Sequence, residues 1–194
     1  LGSSDVGPYA KGFRKAYRIQ NGNQTSGAAA TDFIRIEYRI EAQDIANSGW
    51  NYVSSSSFVT LSFWIKSSVA QTFKGYIKTH DGTQYGYPFE TGSLSADTWT
   101  KITKTISGNS NLTINNDNGQ GLEIRWALFY GTDRTASVTE DAWATYDNTQ
   151  RTPDNTSTWY TTNSATFEIT GVQLEVGSQA SDFQHEDFGT TLAK

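Results

Sequence analysis

The segment Thr166–Phe183 (TFEITGVQLEVGSQASDF) constrains the fold more than any other part of this 194-residue chain. Apolar and polar residues alternate over Phe167–Ile169, and after Gly171 the alternation resumes over Val172–Val176. A period of two is typical of a β-strand with one buried and one solvated face, and a phase slip at a glycine indicates a β-bulge. The segment therefore predicts a long, bent strand that closes a sheet.

Similar alternation recurs along the chain, most clearly over Asp32–Ile45, where Ile and Tyr alternate with Arg and Glu. Four charged side chains then share one strand face, and a solvated face is the favoured interpretation, with a functional charged strip as the alternative. Asp81-Gly82 between two strand-like runs indicates a hairpin. Further strands are predicted at Phe13–Ile19, Phe58–Lys66, Gln71–His80, Gln84–Glu90, Asp97–Ile106 and Leu122–Tyr130.

Leu122–Tyr130 is predicted to form a central strand of a sheet. Leu122, Ile124, Trp126 and Leu128 are expected to face the core, and Glu123, Arg125 and Phe129 to face the other way. Trp99, on another predicted strand, is also expected to fill the core.

Eight to ten short strands, with no convincing helix and no internal repeat, predict an all-β fold. The spacing of the turn signals favours a two-sheet antiparallel β-sandwich of jelly-roll type. We expect a linker or N-terminal arm at 1–12, the sandwich domain at 13–183 and a C-terminal tail at 184–194.

Composition excludes several classes of partner. The net charge of −5 argues against a nucleic-acid-binding surface. No apolar run approaches the roughly 20 residues that span a bilayer, so membrane insertion is not expected. Cysteine is absent, so the fold has no disulfide framework.

Catalytic chemistry has no signature in the sequence. Glycoside hydrolysis needs two carboxylates across a sugar ring, and the spacing of the acidic pairs does not indicate such a site. Nucleophilic catalysis needs a positioned histidine, whereas His80 lies beside a hairpin turn and His185 lies in the tail. We therefore predict that the protein is not an enzyme. The acidic pairs are Glu41/Asp44, Glu140/Asp141 and Glu186/Asp187.

Metal binding is equally unsupported by a motif. Two histidines exclude a His-rich metal site. The segment Asn115–Gly119 resembles part of an EF-hand loop but lacks its later Glu. A plain turn is the favoured interpretation and weak calcium binding the alternative, so no cofactor is predicted.

Glycan binding, in contrast, has a physical basis that this sequence meets. Sugar rings present C–H faces and a rim of hydroxyl groups, which aromatic and polar side chains bind together. The polar, aromatic stretch Gly131–Ala165 resembles a functional loop or a packed Ω-loop. Sugar contact, Ω-loop packing and a protein interface therefore remain open for each loop aromatic. The candidate ligand-binding residues are Trp50, Tyr52, Tyr85, Tyr87, Arg125, Trp143, Tyr146, Trp159 and Tyr160.

Four segments carry a family resemblance. They are Leu61–Ser67 (LSFWIKS), Ser95–Lys101 (SADTWTK), Asn116–Gly119 (NDNG), and Ile169–Gly177 (ITGVQLEVG) followed by Asp182 and Phe183. Together they resemble a module of tail and fibre proteins of marine bacteriophages, related to carbohydrate-binding jelly rolls. The resemblance runs from about Phe13 to the C-terminus, and Ile169–Gly177 is its most specific part. It implies a sandwich on the virion surface that contacts glycans of the host.

One departure from the related sandwiches concerns calcium. Those domains often hold a structural calcium ion through an acidic residue in the last strand. The matching positions here are Thr170 and Gly171, which offer no carboxylate.

The leading hypothesis is a non-catalytic carbohydrate-binding or adhesion module of a phage virion. Its ligand would be an algal or bacterial surface polysaccharide, and its setting a tail fibre or receptor-binding protein. The rival hypothesis is a structural or oligomerisation domain of a tail or virion protein with no sugar ligand. Its partners would be a homo-oligomer or other virion proteins. A third is a domain clipped from a depolymerase whose catalysis lies elsewhere.

Overall fold

The computed structural model describes residues 1–23 and 26–185, and most of its regular structure is β-strand. The strands are β1 (Tyr17–Gln20), β2 (Phe33–Glu41), β3 (Phe58–Ser67), β4 (Thr72–Thr79), β5 (Tyr85–Ser93), β6 (Thr100–Ser107), β7 (Gln120–Tyr130), β8 (Ala144–Thr145) and β9 (Thr166–Val176). Helices α1 (Ala42–Ala46) and α2 (Thr158–Thr161) and a 3-10 turn at Thr132–Arg134 are short. The pair Glu186/Asp187 and most of the predicted tail 184–194 lie outside the described residues.

The strands form two antiparallel sheets, which confirms the predicted two-sheet β-sandwich. The four-stranded sheet has the order β1-β9-β3-β6, and the five-stranded sheet has the order β2-β7-β4-β5-β8. Most neighbours within a sheet are distant in sequence, as they are in jelly rolls. The last long strand, β9, lies between β1 and β3 and so joins the two ends of the domain.

The core fills the space between the sheets, because inward-facing apolar side chains occupy every second strand position. Phe63 of β3 meets Trp126 of β7 edge-to-face, with ring centroids 5.5 Å apart. Phe89 of β5 lies 6.4 Å from Phe63. Each buried side chain of this size contributes roughly 1.5–3 kcal/mol to folding, so these contacts hold one sheet against the other.

Gly171 interrupts β9 with a β-bulge, which confirms the prediction from its sequence. Between two successive pairings with β3, β9 advances three residues while β3 advances two. The φ angle of Gly171 is +60°, a conformation that side chains disfavour. A Cβ atom at this position would lie 2.5 Å from Cζ of Phe13. The bend in β9 thus depends on glycine for both its backbone conformation and its contact with Phe13.

A second bulge, in β7, corrects the predicted orientation of Phe129. The register with β2 shifts between Ile34 and Arg35, so that Leu128 has no partner opposite it. Leu128 and Phe129 both pack in the core, where Phe129 stacks on Tyr160 with ring centroids 4.4 Å apart. The prediction that Phe129 faces away was wrong, because strict alternation does not hold across a bulge.

Two strand predictions extend too far, and the two short helices were not predicted. β1 begins at Tyr17 rather than Phe13, whose ring packs against Gly171 instead. The strand predicted over Asp32–Ile45 ends at Glu41, where the chain continues as α1.

The predicted arm at 1–12 packs against the outer side of the four-stranded sheet. The Asp5 carboxylate accepts a hydrogen bond from Nε1 of Trp99 at 2.8 Å and lies 3.1 Å from Nζ of Lys66. The backbone N–H of Gly2 lowers the pKa of Asp5 most, and Trp99 and Lys66 add to this effect. Trp99 is buried, but it lies under the arm rather than in the core between the sheets, where it was expected.

Replacing Gly171 with alanine should lower the free energy of unfolding more than the same change at Gly92. Gly92 has a similar φ of +71°, but the space around its Cβ position is open. Left-handed strain alone costs roughly 1–2 kcal/mol, and at Gly171 the new methyl group must also displace Phe13. Urea unfolding of Gly171→Ala and Gly92→Ala separates the two effects. Equal losses would contradict the importance of the Phe13 contact.

Candidate ligand-binding face

Five of the nine candidate residues are buried: Arg125, at 8% exposure, and the four aromatic residues Trp50, Tyr87, Trp159 and Tyr160. Trp159 has no exposed surface, and its Nε1 donates to the carbonyl oxygen of Thr166 at 3.0 Å. All four rings belong to the core between the sheets. They anchor their segments by packing in the core, and in these positions their ring faces are not accessible to a ligand.

Three further candidates, Tyr52, Tyr85 and Trp143, are half-buried and pack against the same core. The Tyr52 hydroxyl donates to the carbonyl oxygen of Ile114 at 3.1 Å. Nε1 of Trp143 donates to the carbonyl oxygen of Ser107 at 2.8 Å. Sugar contact, packing within the domain and a protein interface were the alternatives for the loop aromatics, and packing explains the contacts of these residues.

Arg125 and the remaining candidate, Tyr146, come together on the outer side of the five-stranded sheet. Nη1 of Arg125 donates to the Tyr76 hydroxyl at 2.5 Å, and the rings of Tyr76 and Tyr146 lie 5.8 Å apart. Tyr146 reaches this side because β8 pairs with the edge of β5. Gly86 of β5 leaves room for it, since a Cβ atom there would lie 3.3 Å from Cδ2 of Tyr146.

Charged side chains extend this surface across three neighbouring strands. Glu37 of β2 lies opposite Arg125 of β7, and Glu123 of β7 lies between Arg39 of β2 and Lys78 of β4. Because strand residues alternate in direction, these side chains share one side of the sheet. The name charged face is used below for Arg35, Glu37, Arg39, Tyr76, Lys78, His80, Glu123, Arg125, Tyr146 and Arg151.

Glu123 is the central anion of the charged face and has no exposed surface. Its carboxylate contacts Nε of Arg125, lies 3.0 Å from Nε2 of His80 and lies 3.9 Å from Nε of Arg39. Burying a carboxylate is costly unless opposite charges and hydrogen bonds surround it. The side chains around Glu123 meet this requirement.

His80 is held as a neutral ring by its surroundings. Burial lowers the pKa of His80 to about 4, and nearby positive charges act in the same direction. The neutral imidazole can therefore donate its Nε2 proton to Glu123. The positive charges are those of Lys78, Arg39 and Arg125.

Glu37 holds three guanidinium groups. Its carboxylate lies 2.9 Å from Nε of Arg35, 2.8 Å from Nη2 of Arg39 and 3.4 Å from Nε of Arg125. Burial raises the pKa of Glu37, but the charges of Arg125 and Arg35 outweigh burial, so the pKa is lowered overall. Glu37 is therefore an anion at neutral pH.

Lys78 differs from its neighbours because no carboxylate of residues 1–23 or 26–185 pairs with it. It is only 9% exposed, and its ammonium lies 4.3 Å from the centroid of the Tyr146 ring. Such a cation–π contact offsets a part of the cost of desolvation. Burial lowers the pKa of Lys78, and the charges of Arg125, Arg151 and Arg39 lower it further.

Sequence reasoning missed Lys78, Glu123 and Arg151 as parts of this site. For the alternating charges of β2, the sequence favours a solvated face, with a functional charged strip as the alternative; in the structure Glu37 and Arg39 belong to the ion-pair network. The sequence does contain a signal for this network: Glu37 and Arg39 of β2 have charges opposite to those of Arg125 and Glu123 of β7. The signal can be recognised only when it is known that β2 pairs with β7.

A second concave feature, the edge cleft, is lined by residues of β2 in one sheet and of β1 and β9 in the other. Its volume is about 770 Å³ and its lining is mainly apolar. Tyr17 and Tyr38 stand at its rim, 62% and 60% exposed. Val172 and Val176, beyond the bulge of β9, also line it and are partly exposed.

Metal binding finds no further support in residues 1–23 and 26–185, where no group of three or more His, Cys, Asp or Glu side chains could hold an ion. In the segment Asn115–Gly119, Asp117 accepts a hydrogen bond from the backbone of Gly119 at 2.9 Å. Asn115 donates its side-chain N–H to Asp81 at 2.9 Å. None of the helices in this part of the chain is long and apolar enough to cross a membrane.

Comparisons of the chain with protein-family models, with curated proteins and with solved structures found no match. Function must therefore be inferred from the charged face, the edge cleft and the sequence.

Glu123→Gln should lower the free energy of unfolding by about 3–5 kcal/mol, because it removes the anion that balances buried Arg125. Glu90→Gln is the matched control. It removes a carboxylate whose side chain is 39% exposed and pairs with Lys74, and should cost about 1 kcal/mol or less. Chemical denaturation at pH 7 measures both variants. A loss at Glu123 no larger than at Glu90 would show that the buried network is dispensable.

Proposed function

We propose that this chain is a non-catalytic carbohydrate-binding module whose ligand lies on the charged face. The observation that carries the proposal is a set of polar groups held in place beside an aromatic ring. Tyr76 fixes Arg125, Glu37 fixes Arg39, and the ring of Tyr146 lies against Tyr76 and Lys78. Charged groups can pair with the hydroxyl rim of a sugar while a ring covers its C–H face. Because these side chains are already ordered, little conformational entropy is lost on binding.

Both outer sides of the sandwich are partly covered, and on the five-stranded sheet Tyr76, Lys78, Glu123 and Arg125 are buried. The arm at 1–12 packs on the four-stranded sheet through Asp5 and Gly7, which approaches Trp64. On the five-stranded sheet, the Arg39 side chain remains 48% exposed and that of Glu37 28% exposed. A ligand can therefore reach the charged face from the side of β2.

The state of the carboxylates favours binding over catalysis. A glycosidase needs one carboxyl group with a raised pKa to protonate the leaving group. Glu37 has a lowered pKa, and Glu123 is enclosed by cations and His80. Neither suits the role of a proton donor.

The wider setting of the proposal is adhesion by a phage virion. The resemblance of Ile169–Gly177 and three other segments to tail and fibre proteins of marine bacteriophages supports a tail fibre or receptor-binding protein. The ligand would be an algal or bacterial surface polysaccharide, met at the virion surface.

The test is a binding screen of the protein against immobilised algal and bacterial polysaccharides. We expect selective binding that the double variant Arg39→Ala/Tyr146→Ala weakens about tenfold or more, equivalent to about 1.4 kcal/mol. Tyr17→Ala, which removes an exposed ring at the edge cleft, should bind as the unmodified protein does. Circular dichroism confirms that each variant is folded.

Two outcomes would count against the proposal. One is no binding to any polysaccharide in the panel. The other is binding that the double variant leaves unchanged, because the ligand would then lie elsewhere on the molecule.

Assembly is a second candidate function, favoured by the edge cleft. Tyr17, Tyr38, Val172 and Val176 form an exposed apolar rim, and such patches commonly mark interfaces. β1 and β2 are edge strands of their sheets, so unpaired backbone groups flank the cleft. A second copy of this chain could cover both features, and the domain would then be a structural part of a tail or virion protein.

Sedimentation analysis tests the assembly candidate. If it is right, the protein forms an oligomer that Tyr17→Ser/Tyr38→Ser dissociates, because the apolar contact is lost. Val53→Ser, at an apolar residue 46% exposed outside the cleft, is the control and should not change the mass. A monomer at every concentration would reject assembly and leave carbohydrate binding as the remaining candidate.

A further inference from the structure

The charged face has a surplus of positive charge within an acidic protein. The whole chain has a formal net charge of −5, yet cations outnumber carboxylates on this surface. The two carboxylates, Glu37 and Glu123, are shared among arginines. The cations are Arg35, Arg39, Lys78, Arg125 and Arg151.

Lys78 is the cation of the charged face that most needs an anionic partner, because it is buried. Charged side chains are almost never this buried unless they are paired. No ion pair or hydrogen bond reaches its ammonium from the described residues, and its contact is the Tyr146 ring at 4.3 Å. The ammonium is not completely sealed from solvent. An anion that displaced this solvent would contact the ammonium.

Arg151 strengthens the positive potential around Lys78 from the long loop. It is 9% exposed, and its side chain donates to Oδ1 of Asn148 at 3.2 Å. Its Nε and Nη1 are sealed from solvent and have no hydrogen-bond partner in the part of the chain that the structure describes, and its guanidinium lies 5.6 Å from the ring of Tyr130. Arg151 thus acts through its charge rather than through contact with a ligand.

We propose that the charged face selects anionic polysaccharides, with Lys78 binding a carboxylate or sulfate group of the sugar chain. The inference rests on the proposed function and names its ligand class. An ammonium is a compact point charge and suits either anion. Because surrounding side chains exclude most water, its attraction to an anion is stronger than at an open surface.

The neighbours of Lys78 define how such a chain would lie. Arg39, across Glu123 in the sheet, has a half-exposed side chain and can pair with a second acidic group or a hydroxyl. Tyr146 lies against Lys78 on the other side and can contact a sugar ring. The two flanking groups extend the contact beyond a single free anion.

The test compares polysaccharides that differ only in charge. The probes are polygalacturonate against its methyl ester, and dextran sulfate against dextran, measured by titration calorimetry in moderate salt. Lys78→Met removes the ammonium, and Lys101→Met removes an exposed lysine of β6 in the four-stranded sheet. We expect binding to the acidic member of at least one pair, weakened tenfold or more by Lys78→Met and less than twofold by Lys101→Met.

The pattern across the two pairs identifies the anion. If the protein binds polygalacturonate alone, the preferred anion is a carboxylate, and if it binds dextran sulfate alone, the preferred anion is a sulfate. Binding to both indicates a site that accepts either anion. Each of these results supports the inference. Lys78→Met should unfold at the same or a higher temperature, since it removes an unpaired buried charge. If it does not fold, Arg39→Ala, at the half-exposed rim, replaces it with the same expected loss.

Three results would overturn the inference. Equal loss with Lys78→Met and Lys101→Met, or equal affinity for single-stranded DNA, would indicate unspecific attraction of polyanions. Preference for the neutral member, unaffected by Lys78→Met, would refute anion selection and leave carbohydrate binding intact. Failure to bind any polysaccharide, charged or neutral, would remove the proposed function together with the inference.

Discussion

The contact between buried Glu123 and the cations around it is the interaction on which the charged face depends. Without that carboxylate, Arg125 would depend on Glu37, 3.4 Å away, for its charge balance, and His80 would lose its acceptor. The core holds the inner side of the five-stranded sheet through apolar packing. Ion pairs hold its outer side, so both sides of β7 are fixed by side chains. A ligand surface built there is ordered before a ligand arrives.

Much of the sandwich could be predicted, because strand alternation is a local property of the sequence. β2, β3 and β9 follow their patterns closely, and Gly171 marks its bulge because only glycine fits that backbone. The bulge in β7 has no such marker, so Phe129 was assigned to the wrong side. A loop ring such as Trp159 looks the same in sequence whether it packs inward or faces solvent, and its long-range contacts decide the outcome.

The site was harder to predict than the fold for a related reason. Arg125 and Tyr146 could be named as single candidates, but their proximity depends on β8 joining the edge of β5. From the sequence alone, Lys78 is expected to be an ordinary polar residue on the solvated side of a half-buried strand. Its isolation from carboxylates arises only from the register of β4 with β7, which places it beside a Glu123 already occupied by arginine. The excess of positive charge around Lys78 therefore appears only when the strands are assembled into the sheet.

Both described ends of the chain meet on the four-stranded sheet. Lys11 pairs with Asp182 at 3.0 Å, and the ring of Phe13 packs edge-to-face against Phe183 at 4.9 Å. This side is opposite the charged face. A tether attached through either end would pull on one sheet, and force would pass through the core before reaching the charged face. The sandwich would thus act as a rigid spacer that holds the charged face outward from its anchor.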